Sequence, residues 1–274
     1  MVVRYLRPRS VADASEALAD GTWRVVAGTT DVYPEVVGRS LTQDIIDLTG
    51  VPELRGIDHH DGLWRIGACT TWTDLVQADL PPQFAGLQCA AQQIGGLQIQ
   101  NRGTVGGNLC TASPAGDGIP ALMALSANVE LVNPRGARVI PLTDFITGYR
   151  TTALAADEFL ASIRVPDRPG PSNFAKLGSR SHLVISIVMV ATHIETDHAD
   201  GPVTRIAVGA CSPAAMRLRG LEEQLRGSVD FDAVEQYALD ELNPIDDIRS
   251  SAQYRKTVVR PLVRRSLEAC GEQL

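Results

Sequence analysis

The spacing of apolar residues predicts strands and helices along the whole chain. Ser10 can cap a helix whose apolar residues recur at helical intervals, and Gly21 can end that helix. Alternation of apolar and polar residues on either side of it is typical of strands. The predicted strands cover residues 2–6, 23–27, 44–48, 62–68, 128–132, 138–140, 159–165, 174–177, 185–195 and 203–210. The predicted helices cover residues 11–20, 81–94, 120–125, 218–225, 231–241 and 250–267, with a short helix around Leu75 and Val76.

A proline-rich segment divides the chain into two predicted domains. Pro166, Pro169 and Pro171 lie within six residues of one another, and such stretches interrupt both helices and strands. We therefore expect one domain over 1–168, with parts at about 1–55 and 56–168, and a second over 169–274. Strand, helix and strand follow one another at the start, which indicates a small α/β unit.

The last predicted helix combines an apolar face with many basic residues. Its predicted apolar face comprises Tyr254, Val258, Val259, Leu262, Val263 and Leu267. Its basic residues are Arg255, Lys256, Arg260, Arg264 and Arg265. We expect the basic residues to form a solvated face that is available to a partner. Pro261 lies inside the helix and should kink it or remove one hydrogen bond.

The composition excludes several classes of function. The chain has 25 basic and 32 acidic residues, a net charge of −7, and 5% aromatic residues. An acidic chain with few aromatic residues is a poor partner for nucleic acid. The five cysteines show no CxxC spacing, so we expect no metal site, iron–sulfur cluster or disulfide framework on this chain. No apolar run approaches the roughly 20 residues of a membrane span, and no signal peptide is visible, so we expect a cytoplasmic protein.

The segment from Ile94 to Ala127 is the strongest candidate for a binding site. Its glycines at positions 95, 96, 103, 106 and 107 let backbone N–H groups approach a ligand closely. The segment continues through Asp117 and Gly118 to Pro120, where a helix should begin. Free N–H groups near a helix start favour an anion, so we predict that this segment holds part of a phosphate-bearing cofactor.

A second candidate loop, Gly28-Thr29-Thr30-Asp31, follows the strand predicted at 23–27. Gly28 can adopt a positive φ, and the threonine hydroxyls can join backbone N–H groups in contacting phosphate. The alternative interpretation is an ordinary strand-to-helix turn capped by Asp31, because one glycine is weak evidence. The GxGxxG pattern of a Rossmann site is absent, so Asp47 is not expected to bind a ribose.

The sequence shows no acid, base and nucleophile with the spacing of a catalytic site. The adjacent His59 and His60 are expected in a polar turn before Asp61, and there is no GxSxG elbow. Cys110 lies in the glycine-rich segment and is expected to pack or to line the site, because no histidine follows closely to activate it. We therefore expect no catalytic residue on this chain and a bound cofactor that supplies the chemistry.

Four segments resemble the flavoprotein (medium) subunits of the molybdenum hydroxylases, the family of xanthine dehydrogenase and carbon monoxide dehydrogenase. QIQNRGTVGGNLCTASPAGD, at 98–117, resembles the second FAD-binding motif of that family, including the spacing from Thr104 to Asp117. VAGTTD, at 26–31, resembles its first FAD loop, and FAKLGSR, at 174–180, resembles its lysine-containing segment. Residues 254–267 resemble its C-terminal helix, so the resemblance covers nearly the whole chain.

The resemblance implies an α+β fold: a two-part FAD-binding domain of the vanillyl-alcohol-oxidase (PCMH-like) type, then a smaller α/β C-terminal domain. It implies that backbone N–H groups of the two loops hold the FAD pyrophosphate from opposite sides and that Asp117 contacts ribityl or ribose hydroxyls. Ile94, Leu160 and Lys176 occupy positions that touch the flavin in relatives. The implied FAD-binding residues are Val25, Val26, Ala27, Gly28, Thr29, Thr30, Asp31, Val32, Ile94, Thr104, Val105, Gly106, Gly107, Asn108, Asp117, Leu160 and Lys176.

The resemblance also implies a function within a larger complex. The chain would be an oxidoreductase subunit whose FAD takes electrons from 2Fe-2S clusters on a small partner subunit and passes them to a terminal acceptor. A large partner subunit with the molybdenum cofactor would oxidise the substrate, and two such heterotrimers could form a dimer. A flavin-less assembly subunit and a stand-alone flavin reductase are the alternatives.

Two departures from the family pattern favour the assembly subunit. Thr29 stands where relatives commonly have a second glycine, and a threonine is strained if that position needs a positive φ. Gln100 stands where relatives often have an arginine, which removes one cation from the neighbourhood of the phosphates or of a partner.

Overall fold

The computed structural model describes residues 3–273, so Val2, the first residue of a predicted strand, lies outside the described residues. The strands are β1 (Tyr5–Leu6), β2 (Arg24–Val26), β3 (Ile45–Asp47), β4 (Ile57–His60), β5 (Leu63–Gly67), β6 (Asn128–Asn133), β7 (Gly136–Pro141), β8 (Ile146–Gly148), β9 (Thr151–Thr152), β10 (Phe159–Pro166), β11 (Ser172–Leu177), β12 (Val188–Glu195), β13 (Val203–Gly209) and β14 (Met216–Arg217). The helices are α1 (Val11–Ala19), α2 (Val32–Glu35), α3 (Trp72–Gln77), α4 (Ala85–Gln92), α5 (Leu97–Gln100), α6 (Val105–Thr111), α7 (Gly118–Ala124), α8 (Leu142–Phe145), α9 (Arg219–Gln224), α10 (Phe231–Gln236) and α11 (Ala252–Gly271). Single 3-10 turns lie at Leu48–Gly50, Pro52–Leu54 and Pro82–Phe84.

The first part of the chain folds around a short parallel sheet with the strand order β1-β3-β2. Ser10 caps α1, because its hydroxyl accepts a hydrogen bond from Asp13 N at 3.1 Å. Ala14 and Leu18 of α1 share an apolar core with Ile46 of the central strand. The predicted α/β unit is therefore confirmed, and its β2 strand leads directly into the first candidate loop.

A five-stranded antiparallel sheet with the order β4-β5-β10-β6-β7 forms the second part. Helices α3, α4, α6 and α7 share one core with this sheet, and Trp72, Phe84 and Leu122 are among its fully buried side chains. Full burial of an apolar side chain contributes about 1.5–3 kcal/mol. This packing fixes the helices on either side of the glycine-rich segment.

The last part is a four-stranded antiparallel sheet, β11-β12-β13-β14, reached through residues 167–171, which are neither helix nor strand. Alternate residues of its strands point to opposite faces. Val188 and Ile206 pack with α9, α10 and α11, whereas Met189 and Ala207 join the core of the preceding sheet and helices. The two halves of the molecule therefore meet through a continuous apolar core.

Several predicted elements differ from the observed ones. Residues 57–60 form β4 rather than a polar turn, because His59 stacks on Trp64 of β5 and Ile57 packs against the core. The helix predicted over 81–94 is a 3-10 turn followed by α4, which ends before Ile94. The helix predicted over 231–241 ends at Gln236.

The last helix differs in which residues it buries. It runs through Pro261 without ending. Tyr254 is 48% exposed, so its placement on the apolar face was wrong. Arg255 is 2% exposed, so its placement on a solvated face was wrong as well. The Arg255 guanidinium donates to Ile187 O and Ala210 O and pairs with Asp247, and these acceptors offset the cost of its burial.

Candidate cofactor-binding site

A cavity of about 920 Å³ lies between the first candidate loop, the glycine-rich segment and the C-terminal sheet and helices. Cofactor cavities typically measure about 300–1,000 Å³. Most of the predicted site residues line it: Val25, Val26, Ala27, Gly28, Thr29, Thr30, Asp31, Val32, Ile94, Thr104, Gly107 and Asn108. The two loops singled out in the sequence therefore face one cavity.

The loop between β2 and α2 offers a continuous run of free backbone donors. The N–H groups of Gly28, Thr29, Thr30, Asp31 and Val32 have no hydrogen-bond acceptor within residues 3–273. The next bond along the chain runs from Tyr33 N to Thr29 O. Backbone N–H groups rarely lack acceptors in folded proteins unless solvent or a ligand satisfies them. Consecutive free N–H groups on a cavity wall suit an anion such as a phosphate.

Gly28 and Thr29 have roles that differ from the expected ones. The positive φ of this loop, +60°, belongs to Thr29, and Gly28 has no positive φ. Gly28 is needed for close approach instead, because a Cβ there would lie 2.0 Å from Arg102 O. The Thr29 hydroxyl donates to Gly28 O at 2.7 Å, so it already has an acceptor. The first loop thus packs directly against the chain that leads to Thr104.

The second predicted loop is a helix, which changes the donors it can offer. Thr104 caps α6 by accepting a hydrogen bond from Gly107 N at 3.1 Å. Asn108 N donates to Thr104 O, Val105 N to Thr70 O, and Gly106 N to Ala68 O. Only Thr104 N, among the five N–H groups of 104–108, has no acceptor within the described residues. The expected backbone clamp at Thr104–Asn108 is therefore largely committed to the fold, with Thr104 N as the exception in the described residues.

The side chain of Asn108 gives this wall a different polar contact. Asn108 Oδ1 is buried and has no hydrogen-bond partner within the described residues. Leaving a buried acceptor without a donor costs about 1–3 kcal/mol. Asn108 lines the cavity together with Ser113 and Gly116, so its side chain belongs to the cavity wall.

Asp117 lies just outside the cavity and joins the two halves of the molecule. Its Oδ2 accepts from Lys176 Nζ at 2.6 Å, and its Oδ1 accepts from Ser186 Oγ at 2.5 Å. Lys176 Nζ also donates to Gln93 O at 3.2 Å. Burial raises the pKa of the Asp117 carboxyl above its ordinary value, against the opposing effects of Lys176 and Ser186. Ser186 lines the cavity, so this network reaches the site through a hydroxyl.

Five predicted residues do not line the cavity: Val105, Gly106, Asp117, Leu160 and Lys176. Val105 and Gly106 are buried in the first turn of α6, where a Cβ on Gly106 would lie 2.6 Å from Ala68 Cβ. Leu160 is buried in the core on β10. These residues are buried or paired in the fold, and they pack the helices and strands whose neighbouring residues line the cavity.

Sequence reasoning missed the contribution of the C-terminal domain to the cavity. The missed residues there are Ile185, Ser186, Ala210, Ser212, Pro213, Ile245, Asp247, Arg249 and Arg255. The family-like segments at 174–180 and 254–267 pointed to this domain but not to most of these positions. Tyr149 and Arg150 were also missed; Arg150 Nη1 lies 3.3 Å from Asp31 Oδ2 and so connects the β8–β9 turn to the first loop.

The potential metal ligands and the cysteines of the described chain are placed as follows. Within residues 3–273, no group of three or more His, Cys, Asp or Glu side chains could hold a metal ion. Cys110 is exposed at the cavity wall, and burial raises the pKa of the Cys69 and Cys211 thiols to about 12. None of the helices in that range is long and apolar enough to cross a membrane.

The fold and the cavity define a two-domain protein with a cofactor-sized cavity, and one wall of that cavity carries backbone donors without acceptors in residues 3–273. Comparison with known families agrees: residues 1–168 match the family described as FAD binding domain in molybdopterin dehydrogenase. Residues 173–270 match the CO dehydrogenase flavoprotein C-terminal domain. The chain therefore belongs to the FAD-binding medium subunits of the molybdenum hydroxylases.

Individual relatives match over nearly their whole length. The nicotine 6-hydroxylase medium subunit of Paenarthrobacter nicotinovorans is 31% identical, over 98% of this chain and 97% of the relative. The xanthine dehydrogenase FAD-binding subunit of Escherichia coli O157:H7 is 29% identical, over 98% of each chain. The solved structure of reconstituted CO dehydrogenase from Oligotropha carboxidovorans has a TM-score of 0.90 at 27% identity, over 100% of this chain and 99% of that one. These relatives are oxidoreductase subunits.

Proposed function

We propose that this chain carries FAD and transfers electrons from 2Fe-2S clusters of a partner subunit to a terminal acceptor. The observation that carries the proposal is a run of five N–H groups at Gly28–Val32 on the wall of a cavity of about 920 Å³, for which the described part of the chain offers no acceptor. FAD contains a pyrophosphate, and neutral backbone donors bind it without requiring a positive net charge.

The residues present fit FAD, although not all in the roles implied by the resemblance. The first loop would hold the pyrophosphate through its free N–H groups. Across the cavity, Thr104 N would be the remaining backbone donor, and Asn108 Oδ1 would accept a hydrogen bond from a hydroxyl or N–H group of the cofactor. Ser186, oriented by Asp117, would contact a cofactor hydroxyl or ring atom in place of Asp117 itself. Ile94 and Ile185 would supply apolar contact.

The chain's own residues position the cofactor, and the cofactor supplies the redox chemistry. FAD passes electrons singly or in pairs, which is what a subunit between iron–sulfur clusters and a terminal acceptor requires. The absence of CxxC spacing supports placing the clusters on another subunit. A small iron–sulfur subunit and a large molybdenum subunit are the partners we propose, because relatives are named as medium chains, as in Hydrogenophaga pseudoflava carbon monoxide dehydrogenase.

Purification with and without a matched glycine substitution tests the cofactor assignment. The wild-type chain, expressed with its partner subunits, should be yellow and release one FAD per chain on heating. Gly28→Ala should abolish FAD binding, because its Cβ would lie 2.0 Å from Arg102 O. Gly271→Ala has nothing within 4 Å of its Cβ and should retain FAD. A folded wild-type chain that stays colourless after incubation with FAD would refute the proposal.

A flavin-less assembly subunit is the second candidate, because Thr29 is strained at φ +60° where a glycine would not be. Gln100 no longer supports this candidate, since it is buried and donates to Gln92 O at 3.0 Å as part of the fold. The flavin absorption spectrum of the native complex separates the two candidates. Reduction of that flavin on addition of the complex's substrate tests the electron transfer.

A further inference from the structure

A second cavity, of about 440 Å³, shares no lining residue with the cofactor cavity. It is built from both halves of the molecule, because Ser126 follows α7 whereas Thr204 and Arg205 belong to β13. Arginine is its dominant lining residue: Arg168, Arg205, Arg217, Arg219 and Arg226. Guanidinium groups from several elements are the usual protein donors to a tetrahedral oxyanion.

Carboxylates around this cavity are already paired with some of the arginines. Glu195 Oε2 accepts from Arg205 Nη2 at 2.6 Å and from Arg168 Nη1 at 3.1 Å. Glu222 binds Arg217 through two bonds, at 2.7 and 2.6 Å, and also accepts from Ile206 N. These acidic groups orient the guanidiniums of Arg168, Arg205 and Arg217.

Two arginines and a threonine keep unused hydrogen-bonding capacity. Arg205 is 6% exposed and Thr204 is 1% exposed, yet Arg205 Nη1 and Thr204 Oγ1 have no partner within residues 3–273. The exposed Arg219 has neither a hydrogen bond nor an ion pair in the same range. Burial lowers the pKa of Arg205, and the charges of Arg168 and Arg217 act in the same direction, against the effect of Glu195.

Arginines outnumber carboxylates in the lining of this cavity, and they still do when nearby acidic residues outside the lining are counted. Glu223 pairs with Arg226, and Asp200 lies close enough to raise the pKa of that guanidinium. Glu195, Glu222, Glu223 and Asp200 face five arginines, and Arg219 is the one without a carboxylate partner among the described residues. An anion bound here would complete the charge balance of the cluster.

We propose that this cavity binds phosphate, either as the free ion or as the phosphate group of a monoester. Arg219 and Arg168 reach the opening and bind the oxyanion directly, and Arg205 contributes fixed positive charge from the wall. Arg217 Nη1 donates to Ser126 Oγ at 3.2 Å, so the site spans the contact between the two halves of the molecule. Bound phosphate should therefore stabilise that contact as well as neutralise the arginines.

Calorimetric titration with inorganic phosphate tests the site in the full chain. The titration is run at constant ionic strength set with sodium chloride, with saturating FAD present, so that the first loop is not available to phosphate. We expect one phosphate per chain and a higher melting temperature than in chloride alone. Arg219→Gln should weaken phosphate binding about tenfold, which corresponds to about 1.4 kcal/mol.

Arg265→Gln is the matched control, because Arg265 is exposed on the same domain and does not line the cavity. Arg168→Gln is a second variant that should weaken binding in the same direction. Glycerol 3-phosphate distinguishes the two sources: tighter binding than inorganic phosphate indicates a monoester, and equal binding indicates the free ion. No phosphate binding beyond the chloride control, or equal binding by the Arg219→Gln and Arg265→Gln proteins, would overturn the proposal.

Discussion

Asp117 Oδ2 lies 2.6 Å from Lys176 Nζ, and this ion pair links the segment before α7 to β11 of the C-terminal sheet. The side chains are 7% and 5% exposed, respectively. A buried charge is stable only when it is paired, so each residue depends on the other. A carboxylate that the family resemblance assigned to a cofactor hydroxyl is thus a contact between the two halves of the protein.

Loss of this carboxylate should destabilise the protein strongly. We expect Asp117→Asn to lower the free energy of unfolding by about 3–5 kcal/mol, because Lys176 would be left buried without a counter-charge. Asp157→Asn, which breaks the exposed pair with Arg135, is the control and should cost less than about 1 kcal/mol. Urea denaturation of all three proteins measures both differences. Equal losses for the two variants would contradict the structural role of Asp117.

The sequence predicted that two separated loops form one site, and the cavity confirms that they meet. Gly28 packs against Arg102, two residues before Thr104, so the loops are in direct contact. The family resemblance identified both loops because each of its motifs is a continuous run of residues. It could not show which N–H groups of 104–108 lack acceptors. The acceptors of Gly106 N and Val105 N are Ala68 O and Thr70 O, which lie in another part of the chain.

Residues brought in by tertiary packing were the least predictable. Arg255 looked like part of a charged helix face, but its acceptors lie at Ile187 and Ala210, distant in sequence. His59 was predicted in a turn, but it lies in a strand and its ring stacks on Trp64, with 4.3 Å between the ring centroids. Helical periodicity and turn propensity contain no information about such partners.

Thr29→Gly should stabilise the protein, because a threonine with φ +60° is strained and a glycine is not. A left-handed conformation costs a residue with a side chain about 1–2 kcal/mol, so we expect a net gain of roughly 1 kcal/mol after the entropy of glycine is included. Binding of FAD should persist, because the backbone N–H groups are unchanged.

The neighbouring threonine provides the control. Thr30 has no positive φ, so Thr30→Gly should destabilise the protein by about 0.5–1 kcal/mol through chain entropy alone. Thermal unfolding of the two variants without FAD measures the contrast. Destabilisation by both substitutions would show that the Thr29 hydroxyl bond to Gly28 O outweighs the backbone strain.

Asn108→Ala should weaken FAD binding while leaving the FAD-free protein as stable as the wild type. Asn108 Oδ1 has no partner in the described chain, so its removal breaks no bond in the fold. We expect about a tenfold loss of FAD affinity, or about 1.4 kcal/mol, from one lost hydrogen bond. Asn101→Ala is the control, since Asn101 accepts from Thr73 Oγ1 away from the cavity. Flavin fluorescence titration measures both affinities, and an unchanged value for Asn108→Ala would remove this residue from the site.

His193 should make the protein less stable as the pH falls below about 6.5. Burial, together with the charge of Arg205, lowers the pKa of this imidazole from 6.5 to about 4. The unfolded chain therefore binds a proton between these values while the folded chain does not, so stability is full above 6.5 and decreases toward 4. The shift corresponds to about 3 kcal/mol. Denaturant titrations between pH 4.5 and 6.5 should show a flatter pH dependence of stability for His193→Gln than for the wild type. His60→Gln is the control, because His60 is exposed, and it should keep the wild-type dependence. A wild-type slope in His193→Gln would exclude His193 as the source of the pH dependence.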